Sequence, residues 1–502
     1  MIALGIVSNG HRPRDSRAPP VAALPDALPD APPGAPPVSL HRALGTLDLV
    51  LLNVAAIISF RWLSIAAQIG PSSLTLWLLG MLTFFVPSAL TVLELSARLP
   101  GEGGLYVWSK EAFGERHAFI VGWSYWIANL AFFPSLLLFI AGVCLHVGGG
   151  HWLSLAGDPL YNGGVCLALL WLAIGLNIVG LDRAKWLQNI GGAATWVVGV
   201  LILACGAYAW HRFGAATALT ARSLLPDLGS LAALGTFSAM ALAYVGLELG
   251  PILGGEIKHP ERTIARATLM ACGVVPLIYL SGTAALLVAL PPGEVDMITG
   301  IPQAAAAIGA RIGVPAIAAV TALFVALSQV GTLGAWVTGT TRLPFLFGLD
   351  RYLPAWLGEL HPRFGSPHKA LLTQGVLTSL ILLAAVSGSR IHDAFRVLID
   401  MSIILSFVPL IYMFAALPVL RRRADAARLQ DRWRIPGGFG VCAVVAASGI
   451  AVTLLGVIVA AIPPPGNLAR TLLFGVKVIG GSTLLVAVGV LCYARAQRRR
   501  AA

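Results

Sequence analysis

Charge is what this chain has least of. Only 11% of its 502 residues are Asp, Glu, Lys or Arg, 57% are apolar, and the mean hydropathy is +0.82. A soluble domain is about a quarter charged, so the polar surface needed to wrap a water-facing core of this size is missing. The apolar excess has to face lipid, which argues against soluble enzymes, nucleic-acid binders and secreted scaffolds. Cysteine is scarce as well. Cys144, Cys166, Cys205, Cys272, Cys442 and Cys492 lie in or beside apolar runs and form no CxxC pair, so no disulfide framework is implied. The histidines stand in loops or at the ends of apolar runs. No HxxxH, paired carboxylate or GxSxG falls within a run, and no Walker A pattern occurs. Intramembrane hydrolysis and ATP-driven work lack their residues, so no catalytic residue, metal or cofactor is expected and the chain does not read as an enzyme.

What the chain does have is apolar runs of bilayer-crossing length. They cover 46–69, 72–97, 117–146, 161–180, 187–210, 229–255, 267–290, 313–342, 369–387, 393–418, 437–462 and 468–493. These predict about twelve transmembrane helices, because lipid offers no partner to a free backbone group. Residues 1–42, rich in Pro, Ala and charge and without an apolar core of signal-peptide length, read as a disordered cytoplasmic tail. The remainder divides into a ten-helix core (43–420), a basic loop (421–436), two peripheral helices (437–494) and a basic tail (495–502).

The net charge of +12 suggests nucleic acid until the charges are mapped. Alternate loops, counted from the N-terminal tail, hold 26 Lys and Arg; the opposite loops hold 6, and Arg61 and Lys477 fall inside runs. That bias places both termini in the cytoplasm of a multi-pass plasma-membrane protein and removes the need for a nucleic-acid partner. Arg495 to Arg500 are expected to meet anionic lipid headgroups.

Ionisable residues at membrane depth are costly and mark function by default. Asp48 and Glu94 lie near span ends, where a headgroup-level role suffices, and Lys477 snorkels. Arg61, in Ile58-Ser59-Phe60-Arg61-Trp62, and Glu248 and Asp400 in the sixth and tenth runs, need a stronger reason. The sixth run reads Ala243-Tyr244-Val245-Gly246-Leu247-Glu248-Leu249-Gly250-Pro251. Two glycines and a proline around a carboxylate predict an unwound helix, the alternative being a plain proline kink. The stretch Ala55 to Phe60 in the first run, closed by Arg61, is its partner, five spans away as a five-plus-five repeat requires. Free amides at one break suit a carboxylate, and Glu248 suits a proton or an amine, so the pattern favours a zwitterionic or cationic small solute.

Three blocks then resemble the amino acid–polyamine–organocation superfamily, and within it bacterial amino acid permeases and antiporters. The first is Glu94-Leu95-Ser96-Ala97-Arg98-Leu99-Pro100-Gly101-Glu102-Gly103-Gly104-Leu105-Tyr106-Val107-Trp108. The second runs from Gly246-Leu247-Glu248 through Glu256-Ile257-Lys258-His259-Pro260-Glu261-Arg262. The third is Gly331-Thr332-Leu333-Gly334-Ala335-Trp336, leading to Leu349-Asp350-Arg351-Tyr352-Leu353-Pro354. The resemblance covers roughly residues 45–420. It implies an all-α, LeuT-type fold with two inverted five-helix repeats, broken helices 1 and 6, and two peripheral helices. It implies secondary active transport of amino acids by alternating access, often proton-linked, as symport or exchange. Uptake of polyamines or cationic amines is the alternative, and a non-transporting nutrient sensor a distant one.

Residues carry over one at a time. Asn129, in Tyr125-Trp126-Ile127-Ala128-Asn129, resembles a substrate-contacting Asn of arginine/agmatine antiporters, an interhelical hydrogen bond being the alternative. Trp336 matches the aromatic that lines their substrate side chain, or serves packing. Glu248, with Asp400 as a second site, is the proton-coupling candidate. Ser59 and the neighbouring amides, with Ile57 and Ile58, are expected to hold a substrate carboxylate, and the carbonyls around Tyr244 to Gly246 its ammonium. The chain departs from the pattern at Ala56-Ile57-Ile58-Ser59, where the superfamily often has Gly-Ser-Gly. The Ile-Ser-Phe-Arg-Trp-Leu run is closer to glutamate/GABA-antiporter relatives. Leu242 stands where arginine antiporters have an aromatic gate, and Trp196 where some members have a sodium-mimicking Lys. Ser328 leaves a sodium site open beside the proton, and the oligomeric state stays open.

Overall fold

In lipid a long apolar run can satisfy its own backbone only as a helix, and every run does so. The computed structural model describes residues 42, 44–99, 103–388, 391–423, 433–463 and 468–501. Most of the tail 1–42, most of the basic loop 421–436 and the Pro100–Glu102 part of the first superfamily block lie outside the described residues. Eleven crossings are long and apolar enough by themselves. Span 1 joins Thr46–Ile57 to Arg61–Ala67, span 3 is Glu115–Cys144, span 5 Leu181–Phe213, span 7 Pro260–Ala289, span 8 Ala316–Thr340 and span 10 Ile391–Arg423. The twelfth crossing is span 6. It falls short of span length because it is broken into Leu231–Ala243 and Leu249–Ile252.

Close helix approach in a membrane relies on small residues, and span 5 meets span 8 through Gly191 and Gly331. A Cβ on Gly331 would stand 2.4 Å from the Gly191 Cα. This contact sets span 8 against span 5 while its other side reaches span 1, and span 1 also packs on span 7. Spans 3 and 10 pack along one another and close the opposite wall.

The face where span 1 begins is bound by charge pairs. Leu44 exchanges backbone hydrogen bonds with Glu256 and Lys258. Arg342 grips the buried Glu256 carboxylate at 2.7 and 3.0 Å, a two-pronged geometry that suits guanidinium and carboxylate. The Tyr106 hydroxyl donates to Asp350. Burial, with the Asp350 charge beside it, pushes the Tyr106 phenol well above its ordinary range, so it remains a donor. One expectation changes here. The Glu94 carboxylate, read as a headgroup-level charge, is buried and receives Arg98 at 2.7 Å, Arg421 at 3.3 Å and the Ile435 amide at 2.9 Å. The last span continues as helix to Ala501, where Arg495, Arg498 and Arg499 are exposed and Arg500 lies over the Tyr352 ring and pairs with Glu115 at 3.7 Å.

Gly331→Val is expected to overpack the crossing with span 5 and cost about 1–3 kcal/mol, read as a lower melting temperature in detergent. Gly273→Ala in span 7, where an added Cβ meets nothing within 4 Å, should leave the melting temperature unchanged.

Candidate functional site

Interrupting span 1 after Ile57 removes the i+4 donors of the carbonyls just before the gap. An unpaired carbonyl at this depth is costly, and each is met by a side chain from span 7 or 8. Thr332 Oγ1 donates to the Ala55 carbonyl at 2.6 Å and Trp336 Nε1 to the Ala56 carbonyl at 2.8 Å. The Tyr279 hydroxyl reaches the Ile57 carbonyl at 2.6 Å, and Gln329 Nε2 reaches the Ile58 carbonyl at 3.5 Å. Ser59 Oγ donates to Gln329 Oε1 at 2.5 Å. The Ser59 amide points at the Tyr279 hydroxyl, 3.3 Å away. The amides of Phe60 and Arg61 have no hydrogen-bond partner among the described residues.

Span 6 unwinds from Tyr244 to Glu248 for a local reason. Gly246 has φ +138°, a backbone few side chains tolerate, and an added Cβ would lie 2.8 Å from Ile57 Cγ1. The two breaks therefore touch at Ile57 and Gly246. Tyr279 ties them further, since its hydroxyl is also 3.0 Å from the Ala243 carbonyl. Glu248 is 2% exposed. Its carboxylate accepts from the Tyr125 hydroxyl at 2.8 Å and the Gly246 amide at 3.0 Å. The Tyr244 and Val245 carbonyls have no hydrogen-bond partner among the described residues.

Between the breaks lies a cavity of about 20 Å³, room for roughly one water. Of the residues expected to bind substrate, Ile57, Ser59, Asn129 and Trp336 line it. Asn129 spends one amide hydrogen on the Tyr125 carbonyl at 2.8 Å. Three expected residues do not line it. Ile58 contributes its carbonyl to Gln329. The Tyr244 side chain turns toward span 2 (Ser72–Arg98), its ring stacking on Phe85 and its hydroxyl donating to the Trp77 carbonyl, because that side offers an aromatic bed. The Gly246 carbonyl, the group expected to meet an ammonium, accepts from the Leu249 amide at 3.2 Å, and the Gly246 amide donates to Glu248. Asp400 is not brought to the site either. It lies on span 10, six residues before the cavity-lining Ser406, hence about 9 Å along the helix. Ser328 is engaged with Thr195 at 2.6 Å.

Sequence reasoning missed Tyr279, Gln329 and Thr332. Each is an uncharged polar residue inside an apolar run, and a search for charge at depth passes over them. It did flag Arg61, whose surroundings are unusual. The side chain is 0% exposed, and Nη1 donates to Ser135 Oγ at 2.8 Å. The guanidinium lies between the Trp62 and Phe132 rings, 4.4 and 4.5 Å from their centroids, and both rings line the cavity. Such cation–π contacts are worth about 2 kcal/mol each when desolvated. Nε and Nη2 have no partner among the described residues, at a cost of about 1–3 kcal/mol for each unmet donor.

An all-helical bundle with two touching broken helices around a central cavity is the architecture of a five-plus-five inverted-repeat transporter. The fold is that of the protein in the crystal structure of MhsT in complex with L-phenylalanine, with TM-score 0.62 at 14% identity, covering 84% of this chain and 99% of that one. The family model for amino acid permeases matches residues 44–484, and the chain belongs to that transporter family. An uncharacterized transporter of Legionella pneumophila is 30% identical over 89% of this chain and 95% of its own length. A Lactococcus lactis protein named "Probable agmatine/putrescine antiporter" is 23% identical over 79% of this chain and 83% of its own. The cadaverine/lysine antiporter of Escherichia coli K12 is 24% identical over 71% and 77%.

Tyr279→Phe removes the partner of the Ile57 and Ala243 carbonyls and of the Ser59 amide together. The expected loss is about 1–3 kcal/mol, visible as a lower melting temperature in detergent. An unchanged melting temperature would show that the hydroxyl does not hold the breaks together.

Proposed function

We propose that this permease carries a small amino acid across the plasma membrane by alternating access, binding it between spans 1, 3, 6 and 8 and coupling its movement to a proton. The observation that carries the reading is the meeting of the two breaks, with uncommitted amides on one and uncommitted carbonyls on the other. Ser59 and the amides of Phe60 and Arg61 hold the carboxylate. The Tyr244 and Val245 carbonyls hold the ammonium. Asn129 and Trp336 surround the side chain. The Trp62, Phe132 and Trp336 rings wall the cavity, so it enlarges for a ligand as they move. That motion links substrate entry to a change of conformation.

Glu248 is the proton carrier of this reading. It is a buried carboxylate attached directly to the span 6 break through the Gly246 amide, so gaining a proton alters a bond that shapes the break. Asp400 takes no part, because it stands apart from the cavity. The excess of Lys and Arg on alternate loops puts both termini in the cytoplasm. The printed names of two relatives favour diamine transport instead. Against it, no carboxylate lines the cavity among the described residues, and a buried guanidinium stands behind its wall.

Two measurements in proteoliposomes test this. Labelled amino acid uptake is expected to be competed by other amino acids and not by putrescine; the reverse would make the protein a diamine carrier. Glu248→Gln mimics the protonated carboxyl and is expected to make uptake independent of pH. If the pH profile of Glu248→Gln matches that of the wild type, the proton does not travel on Glu248.

A further inference from the structure

Among the described residues of this membrane core, Glu248 has its hydrogen bonds, and the gripped pair Glu256 and Arg342 has its own. Arg61 does not. It is wholly buried, holds a single hydrogen bond to Ser135, and leaves Nε and Nη2 unmet. It makes no ion pair among the described residues, and the carboxylate of Glu248 is directed to Tyr125 and Gly246 instead. Ser135 donates its own hydrogen bond to the Phe132 carbonyl, so the hydroxyl that accepts from Arg61 is itself fixed in place.

A purely structural role would give such a cation a carboxylate. Instead it is clasped by two aromatic rings, Trp62 and Phe132, and both are walls of the cavity. The unmet edge of a guanidinium, Nε with Nη2, matches the spacing of two carboxylate oxygens. The rings that wall the cavity are the same rings that lie against this guanidinium.

We propose that Arg61 is a specificity-determining residue that binds a carboxylate of the transported solute once Trp62 and Phe132 swing aside. It thereby admits solutes bearing a carboxylate and shuts out diamines. This rests on the substrate site described above. The carboxylate is either the α-carboxylate common to all amino acids or a second one on an acidic side chain. A diamine would bring two ammonium groups toward an unpaired buried cation, and like charges at such depth repel strongly.

The test uses the full-length protein in detergent and in proteoliposomes, with glutamate, alanine and putrescine as probes. Arg61→Met is expected to melt at or above the wild-type temperature without ligand, because it removes an uncompensated charge and keeps the volume. It is also expected to lose apparent affinity for the carboxylate-bearing probe on the order of thirtyfold or more, and with it the ligand-induced rise in melting temperature. Arg61→Lys keeps the charge without the fork and should fall between the two. A loss for alanine and glutamate alike assigns the α-carboxylate, and a loss for glutamate alone assigns the side chain. Arg61→Met that binds both alanine and glutamate within threefold of wild type overturns the assignment and leaves the transport reading standing. Arg61→Met that misfolds or melts lower makes Arg61 structural and also overturns it. Wild-type uptake of putrescine without amino acids overturns both readings together.

Discussion

A helix can be interrupted inside a bilayer only if something else takes up its backbone, and in this protein that something is a set of side chains on spans 7 and 8. Tyr279, Gln329, Thr332 and Trp336 meet the successive carbonyls from Ala55 to Ile58. Without them the gap at Ile58–Phe60 would close into continuous helix, since nothing in Ile-Ile-Ser-Phe breaks one strongly. The Tyr279 hydroxyl reaches both breaks, and its ring stacks on Trp77 with centroids 4.3 Å apart. The position of the cavity, the free amides of Phe60 and Arg61 and the placement of Gly246 against Ile57 all follow from that stapling.

The same economy explains where charge sits. Glu248 and Arg61 lie one on each break, yet they do not neutralise each other. The carboxylate is shaped into the span 6 break by Tyr125 and Gly246, while the guanidinium is held by rings and one hydroxyl. An acid whose bonds depend on its protonation and a cation short of a partner differ in what they can respond to: the first to pH, the second to an anion.

Much of the architecture was legible in the sequence because the signals are additive over many residues. Low charge and recurring apolar runs define the spans, and the uneven distribution of Lys and Arg suggests their orientation. The span 6 break was legible because its cause is local: Gly246 and the Gly250-Pro251 pair are residues a helix tolerates badly. Asn129 and Trp336 were found through resemblance, and the fold does bring them to the cavity. The span 1 break was located only as the partner of the other. Its real cause lies about 220 to 280 residues away in sequence, in side chains that look like ordinary polar interruptions of spans 7 and 8.

Where the expectations missed, the reason was direction. Gly246 is at the break, as its position required, but its carbonyl meets the Leu249 amide and its own amide meets Glu248. Asp400 is on span 10, but six residues before the cavity-lining Ser406, and does not line the cavity itself. Glu94 sits near a span end, but under Arg98, Arg421 and the Ile435 amide. The sequence by itself determined that this chain crosses a membrane about twelve times and carries a few ionisable groups that need a purpose there, because hydropathy and charge are sums over residues. Which of those groups meet, which are satisfied and which one is left waiting for a partner was decided only by the tertiary structure, because a hydrogen bond depends on where two side chains point and not on how many there are.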